Sequence, residues 1–426
     1  MKTLVFFSVA LISLIGYSQD KQDTSYKKRV LETAEVDALF SLYNQDGNHA
    51  AVSGGDGTEE LTDVTSSIIV RLPMNDDDVL SVDVGISAYS SASSSNINPL
   101  DDNSNDRVSP YMASSGASQS DVLAHINPTY QHSSDDRNKI WNANAYLSSE
   151  FDYFSVGFGG GYTQLFNEKN TEVSASAKVY FDTWNPQYPI ELRGGFFDDR
   201  ITGNGTYNPN FVEFDKLNRN SYSVSLSFSQ ILSKHLQGSI FLDLVAQQGL
   251  LSTPFQRVYF SDVDDFFIED FQLADDAERM PDTRFKIPIG GRLNYYVNDI
   301  FLIRSYYRFY TDDWGITSHT ASLEVPIKLS NAFTLYPLYR YYTQTAADYF
   351  YEKEAGLSTF DYYTSDYDLS EFNANQYGFG LRYKDIFTSA KLLTFGLKTI
   401  DLRFSKYDRS DGLNSFIFSL GTTFVR

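Results

Sequence analysis

The feature that most restricts this chain is a strict alternation between residues 284 and 344. Four successive segments there place apolar and polar side chains in turn. A period of two assigns them to strands, with the two side-chain sets on opposite faces. One face carries Phe285, Ile287, Ile289, Leu293, Phe301, Ile303, Tyr307, Phe309, Leu323, Val325, Ile327, Phe333, Leu335, Tyr339 and Tyr341. The other carries Arg284, Lys286, Arg292, Arg304, Arg308, Ser318, Thr320, Glu324, Lys328, Tyr336, Arg340 and Gln344. A soluble sandwich turns its apolar face inward and needs a second sheet to cover it. A membrane barrel turns that face to lipid and the charged face to a lumen.

The rest of the chain separates these two architectures. Alternating segments recur near 34–43, 60–72, 79–90, 119–131, 138–149, 153–166, 171–184, 219–231, 236–247, 372–384, 393–405 and 413–425. With the central four, this makes about sixteen strands, in a range of roughly 14 to 18 because 188–197 and 255–260 could add more. If strands alternate up and down, connections sort onto two sides. One side receives 44–59, 91–118, 150–152, 185–218, 248–283, 312–315, 345–371 and 406–412. The other receives 73–78, 132–137, 167–170, 232–235, 297–299, 329–331 and 385–392. Nearly every long loop falls on the first side and only short turns on the second. Long extracellular loops and short periplasmic turns are the asymmetry of a transmembrane antiparallel β-barrel, and an all-β barrel is the expected fold. Strand 393–405 changes face midway, from Leu393, Phe395 and Leu397 to Ile400, Leu402 and Phe404, which predicts a β-bulge.

Residues 1–18 have the form of a secretory signal peptide: Lys2, an apolar core from Leu4 to Ile15, then Gly16-Tyr17-Ser18 before Gln19. Residues 19–33 are expected to be a periplasmic lead and 34–426 a single barrel in the bacterial outer membrane. No other stretch offers about 18 consecutive apolar residues, so no transmembrane helix is expected. The chain has no Cys, which excludes disulfides and thiol chemistry. A net charge of −21 argues against a nucleic-acid partner, whose phosphates would repel it. It suits solvated, Asp-rich outer loops. The final strand carries Phe416, Phe418, Leu420 and Phe424. A terminal aromatic resembles the signal read by the outer-membrane assembly machinery, although Phe424 stands third from the end.

Several phrases carry a family resemblance: AVSGGDGTEELTD (51–63), YSSASSSNI (89–97), QQGLLSTPFQRVYF (247–260), YRFYTDDWGITSHT (307–320), YRYYTQTAADYFY (339–351) and YYTSDYDLS (362–370). The chain resembles an uncharacterised family of outer-membrane proteins from the Bacteroidetes, catalogued as domain of unknown function thirty-five seventy. The resemblance covers nearly the whole mature chain. It implies a barrel and an address, and no established activity or catalytic residue.

The chemistry expected of the chain lies in its lumen. Arg284, Lys286, Arg292, Arg304, Arg308, Lys328, Arg340 and Arg382 are expected to form a basic wall. Glu35, Asp37, Asp83, Asp121, Glu172, Asp182 and Asp243 are expected to form an acidic wall. Walls of opposite sign would set a transverse field, and a basic wall gives anions a path. Alternatively, these groups pair with one another and fill the lumen. Arg308 and Arg340 recur in the phrases YRFYT and YRYYT. An Arg beside Tyr rings suits a carboxylate, phosphate or sugar, whereas the lipid-facing tyrosines suit an aromatic girdle. The segment DVDDFFIEDFQLADD (262–276) lacks regular calcium-loop spacing and reads as a solvated acidic loop. GFGGGY (157–162) lies in a strand and opens no helix, so its glycines serve close packing rather than a nucleotide. The five histidines form no metal or catalytic spacing, and neither an enzyme, a cofactor nor a metal is expected. Two functions remain open. One is a porin-like channel for small polar or anionic solutes. The other is a non-transporting barrel that docks a periplasmic or surface complex, which the family resemblance allows to be redox-linked.

Overall fold

The structure, a computed structural model, describes residues 29–90 and 120–426. The expected signal peptide, most of the lead and the loop 91–118 lie outside the described residues. Strands form where the alternation predicts them: β1 (Glu35–Asp46), β2 (Leu61–Pro73), β3 (Asp78–Ser90), β4 (Ser120–Ser133), β5 (Lys139–Ser149), β6 (Tyr153–Phe166), β7 (Thr171–Trp184) and β8 (Asn218–Ile231). They continue as β9 (Leu236–Gly249), β10 (Thr283–Tyr296), β11 (Leu302–Asp312), β12 (Thr317–Glu324), β13 (Phe333–Gln344), β14 (Phe372–Lys384), β15 (Phe395–Arg409) and β16 (Asn414–Val425). Each pairs antiparallel with its sequence neighbour. β1 pairs with β16 from Glu35↔Val425 to Asp46↔Asn414, which closes a 16-stranded barrel and leaves no free edge.

Two irregularities follow from sequence. β12 is interrupted at Val325-Pro326 and resumes as Ile327–Lys328, because Pro326 has no N–H to give to the ladder. The β15–β16 register shifts between Leu397 and Thr399, the bulge that the change of face predicted. Residues 188–197 and 255–260 add nothing to the barrel. They hold one turn of 3-10 helix (Ile190–Leu192) and a two-residue strand (Arg257–Val258).

The outer surface of the barrel is apolar. Phe40, Ile68, Val122, Phe158, Leu226, Ile240, Ile289 and Phe379 are all at least 37% exposed. Exposed aromatics and aliphatics alternating with inward Ser, Asp and Arg make the lipid face of a membrane barrel. No described helix is long and apolar enough to cross a membrane. The glycines of GFGGGY make room, as expected. A Cβ on Gly157 would lie 2.5 Å from the Tyr180 ring, and one on Gly159 2.4 Å from Asn144 Oδ1.

The buried cores lie outside the barrel, in its long loops. Phe266, Ile268, Phe271 and Leu273 pack with Phe196, Ile201 and Tyr207. Leu192 packs with Ala274 and Ala277. Leu251, Met280 and Trp314 form a third cluster, and Val258, Phe260 and Tyr363 a fourth. Short strands Ile201–Gly203, Phe266–Ile268 and Phe271–Gln272 make one small sheet. Loops 47–60, 185–217, 250–282 and 345–371 thus fold together into a cap on the barrel. This corrects the expectation of a solvated acidic loop at 262–276. The apolar residues spaced among its acids drive it into a core, and Asp275 and Asp276 are buried with it.

Gly249 marks the point where β9 leaves the barrel for the cap. Its φ is +116°, and a Cβ there would lie 1.9 Å from the Asn218 carbonyl oxygen. Gly249→Ala is therefore expected to cost on the order of 1–3 kcal/mol. It should lower the temperature at which the refolded barrel loses its heat-modifiable gel mobility, and an unchanged transition would refute the strain.

Candidate functional site: the lumen beneath the cap

The cap crosses the mouth of the barrel. In a closed ring of sixteen strands, the loops β1–β2 and β9–β10 rise from opposite walls. Arg257, from the second, donates Nη1–H to the Val52 carbonyl of the first at 2.9 Å. The same guanidinium forms a fully buried ion pair with Glu191, with Nε to Oε1 at 2.6 Å and Nη2 to Oε2 at 3.3 Å. Lys353 Nζ reaches Asp56 at 3.1 Å, and His49 stacks on Tyr367 with ring centroids 3.7 Å apart. These contacts tie four loops together over the centre of the mouth.

The cap holds an unusual set of carboxyls. Burial pushes Glu278 up to about 8, helped by the nearby charge of Asp366. Asp275, Asp276 and Asp366 are each raised to about 6, chiefly by burial. Glu59 is raised to about 7 by burial and by Asp368. All five shifts have the same sign, because each group has lost water without gaining a full cationic partner. Glu278 accepts from Thr253 N–H and from Thr364 Oγ1–H, and Asp276 accepts from Tyr363 OH.

Beneath the cap, the strand register places every residue of the two expected walls on the inward face. Several of them are brought together with partners outside those two sets. On the basic side, Arg284 bonds Asp312 at 2.5 Å and lies over the Trp314 ring. Arg304 bonds Glu324 at 2.8 Å, and Arg382 bonds Asp401 at 2.8 Å. Arg403 takes the second oxygen of Glu324 at 3.2 Å. Arg304, Arg382 and Arg403 all lie over the Tyr336 ring, at 5.4–5.9 Å. Arg292 lies over Phe241 and Tyr306. Lys286 stands opposite Asp312 in the β10–β11 register, and Lys328 is exposed beside Thr334.

On the acidic side, Glu35 pairs with Lys398 at 2.7 Å, and Asp37 with Arg71 at 2.5 Å. Asp83 accepts from Ser67 Oγ and lies 3.6 Å from His125. Asp182 accepts from Tyr153 OH, Glu172 lies 3.4 Å from Ser174 Oγ, and Asp243 stands opposite Ser225. Asp121 meets Glu150 and Asp152 at the outer rim, with oxygens within 4.8 Å of one another. The lumen is therefore less polarised than two walls of opposite sign. Asp312, Glu324 and Asp401 stand among the bases, and Arg71 and Lys398 among the acids. Inward parity at Arg71, Asp401 and Arg403 is the sequence signal that locates these partners.

Exposure differs between the two ends of the lumen, with Ser133 and Tyr336 the buried exceptions toward the short turns. Near the cap, inward Ser148, Ser155, Ser318, Thr320, Gln344, Ala374 and Ser415 are all buried. Toward the short turns, the side chains of Arg304, Arg382 and Arg403 stay 42–46% exposed. Asp37, Leu39, Ser41, Thr65, Arg382, Asp401 and Arg403 border a cavity of about 500 Å³ in that half. The lumen is thus a charged vestibule under a folded roof. The repeated Arg-Tyr phrases split across the wall. Tyr307, Tyr339 and Tyr341 face outward and are 38–49% exposed. Arg308 and Arg340 face inward and have no ion-pair partner among the described residues.

No curated protein matches this chain. Among solved structures, it is similar to a bacterial polysaccharide outer membrane secretin, at 10% identity over 93% of this chain and 99% of that one, with a TM-score of 0.44. It is also similar to a BenF-like porin from Pseudomonas fluorescens Pf-5 (9% identity, 93% and 100% covered, TM-score 0.39). A third likeness is to the outer membrane protein opdK from Pseudomonas aeruginosa (8% identity, 92% and 99% covered, TM-score 0.37). At these scores the barrel rests on this chain's own strand register. The model of one family, described as Protein of unknown function (DUF3570), matches residues 4–414, and the chain belongs to that family.

Proposed function

We propose that this protein is an outer-membrane conduit of the porin kind for small polar solutes, with a preference for anions and a mouth governed by the folded cap. The observation that carries this reading is the pairing of a lipid-compatible outer face with a water-accessible vestibule in which Arg304, Arg382 and Arg403 stay more exposed than the acids they pair with. Side chains at such a lumen select by charge and by the space they leave. Phe424 faces outward against Val36, where a terminal aromatic would serve barrel insertion by the assembly machinery. The reading is non-enzymatic. Outward His319 bonds Tyr307 OH at 2.8 Å and has Phe309 and Thr343 beside it across the sheet, with no serine nucleophile.

The test is single-channel recording of the refolded protein in planar bilayers. Stable conductance steps are expected. Replacing Arg304 and Arg382 by Gln frees Glu324 and Asp401 from those partners, so the reversal potential in a salt gradient should move toward cations. An unchanged potential would refute a charge-selective wall. The roof across the mouth favours a second reading, a non-transporting barrel that presents its cap to a periplasmic or surface partner. Silence from protein of proven fold, with the cap both intact and loosened, would select it.

A further inference from the structure

We propose that Arg308, Thr320 and Arg340 form a binding site for a small oxyanion, a carboxylate or phosphate, on the lumen wall directly beneath the cap. The proposal rests on the conduit reading for its water-filled lumen, but does not require the path to be open. In the β11–β12 register Arg308 stands opposite Thr320, and in the β12–β13 register Thr320 stands opposite Tyr342 and Ser322 opposite Arg340. The two arginines are thus two strand spacings apart and two residues out of step, roughly 12 Å at their backbones, with the threonine on the strand between them.

Three polar atoms at this place are buried without a hydrogen-bond partner: Arg308 Nε, Thr320 Oγ1 and Arg340 Nε. Thr320 is only 2% exposed. Buried donors are normally satisfied, so three together on adjoining strands call for a bound group. Other inward arginines are occupied: Arg219 and Arg292 lie over aromatic rings. Arg71, Arg284, Arg304, Arg382 and Arg403 all have carboxylate partners. The acid closest to Arg340 in register, Glu324, has both oxygens taken, by Arg304 and Arg403. Ser318, Ser322 and Tyr342, which share the inward face here, are uncharged.

Two uncompensated guanidiniums flanking a hydroxyl suit an oxyanion. The planar fork of an arginine matches two oxygens of a carboxylate or phosphate, and its positive charge persists at any working pH. The site lies where inward side chains pass from exposed to buried, so a solute held there would sit against the underside of the roof.

Equilibrium dialysis of the full refolded protein in detergent, at low salt, tests this with inorganic phosphate and succinate as separate probes. Saturable binding of one or both is expected. Arg308→Gln with Arg340→Gln should weaken it at least tenfold, Thr320→Val should weaken it severalfold, and Arg308→Lys with Arg340→Lys should restore only part. Arg71→Gln, elsewhere in the lumen, should bind as wild type. Heat-modifiable mobility controls for folding in each case. Absence of saturable binding by either probe, or wild-type binding by the double Gln variant, would overturn the site. Conductance of the same preparations separates the two ideas. Conductance without binding overturns the site and leaves the conduit, whereas binding without conductance, with the cap both intact and loosened, keeps the site and overturns the conduit.

Discussion

Arg257→Met is expected to open the roof. The guanidinium and its partner Glu191 are both fully buried, so the variant strands a carboxylate in the cap core and also cuts the contact to Val52 on the opposite wall. Breaking a buried pair by removing one partner costs roughly 3–5 kcal/mol. Each 1.4 kcal/mol is about tenfold in an equilibrium, so the closed-to-open ratio of the cap should fall by at least about a hundredfold. Two readouts follow: longer or larger conductance steps in bilayers, and rapid proteolysis within 185–217 and 250–282 while the barrel keeps its gel mobility. The double variant Glu191→Leu/Arg257→Met removes both charges and should recover much of the protection, because an apolar pair of similar volume often replaces a buried ion pair at little cost. Unaltered proteolysis in the single variant would show that the pair does not hold the cap.

Raising pH should loosen the same cap. A carboxyl whose folded-state value lies above its unfolded one stabilises the fold below the unfolded value, and that stability is lost as pH rises through the folded value. Glu278, raised from 4.5 to about 8, sets the upper part of the window. Asp275, Asp276 and Asp366, raised from 3.8 to about 6, set the lower part. Between about pH 4.5 and 8 the opened cap releases protons that the closed cap holds. Each such group then shifts the balance toward opening by up to roughly tenfold per pH unit. Loop proteolysis and open-channel time should therefore rise from pH 5 to pH 8.5. Glu278→Gln keeps a neutral side chain at that position at every pH, and should flatten the rise above about pH 6. A profile flat in the wild type, or equally steep in Glu278→Gln, would refute the linkage.

Much of the barrel was legible because its signals are local. Alternation along Thr283–Tyr296 and Leu302–Asp312 reports which side chains share a face, whatever the neighbouring strands do. The change of face after Leu397 located the bulge for the same reason. Loop lengths sorted by parity located the end that carries the cap. The candidate site was half legible: parity turned Arg308 and Arg340 inward, but could not show that they lack partners. That depends on which residue of the next strand stands opposite, and hence on Glu324 being taken by Arg304 and Arg403.

The cap was not legible at all. Segment 262–276 has the composition of a solvated loop, and its acids outnumber the residues that form the core. What folds it are contacts between segments far apart in the chain: Arg257 with Glu191, 66 residues away, and with Val52, 205 residues away. The strands, their faces and the side on which the long loops emerge can be read from the chain alone, because a period of two is written into each segment separately. That those loops close over the lumen, and which lumen charges are left unpaired, emerges from the fold, because both depend on where the closed ring of strands brings distant residues together.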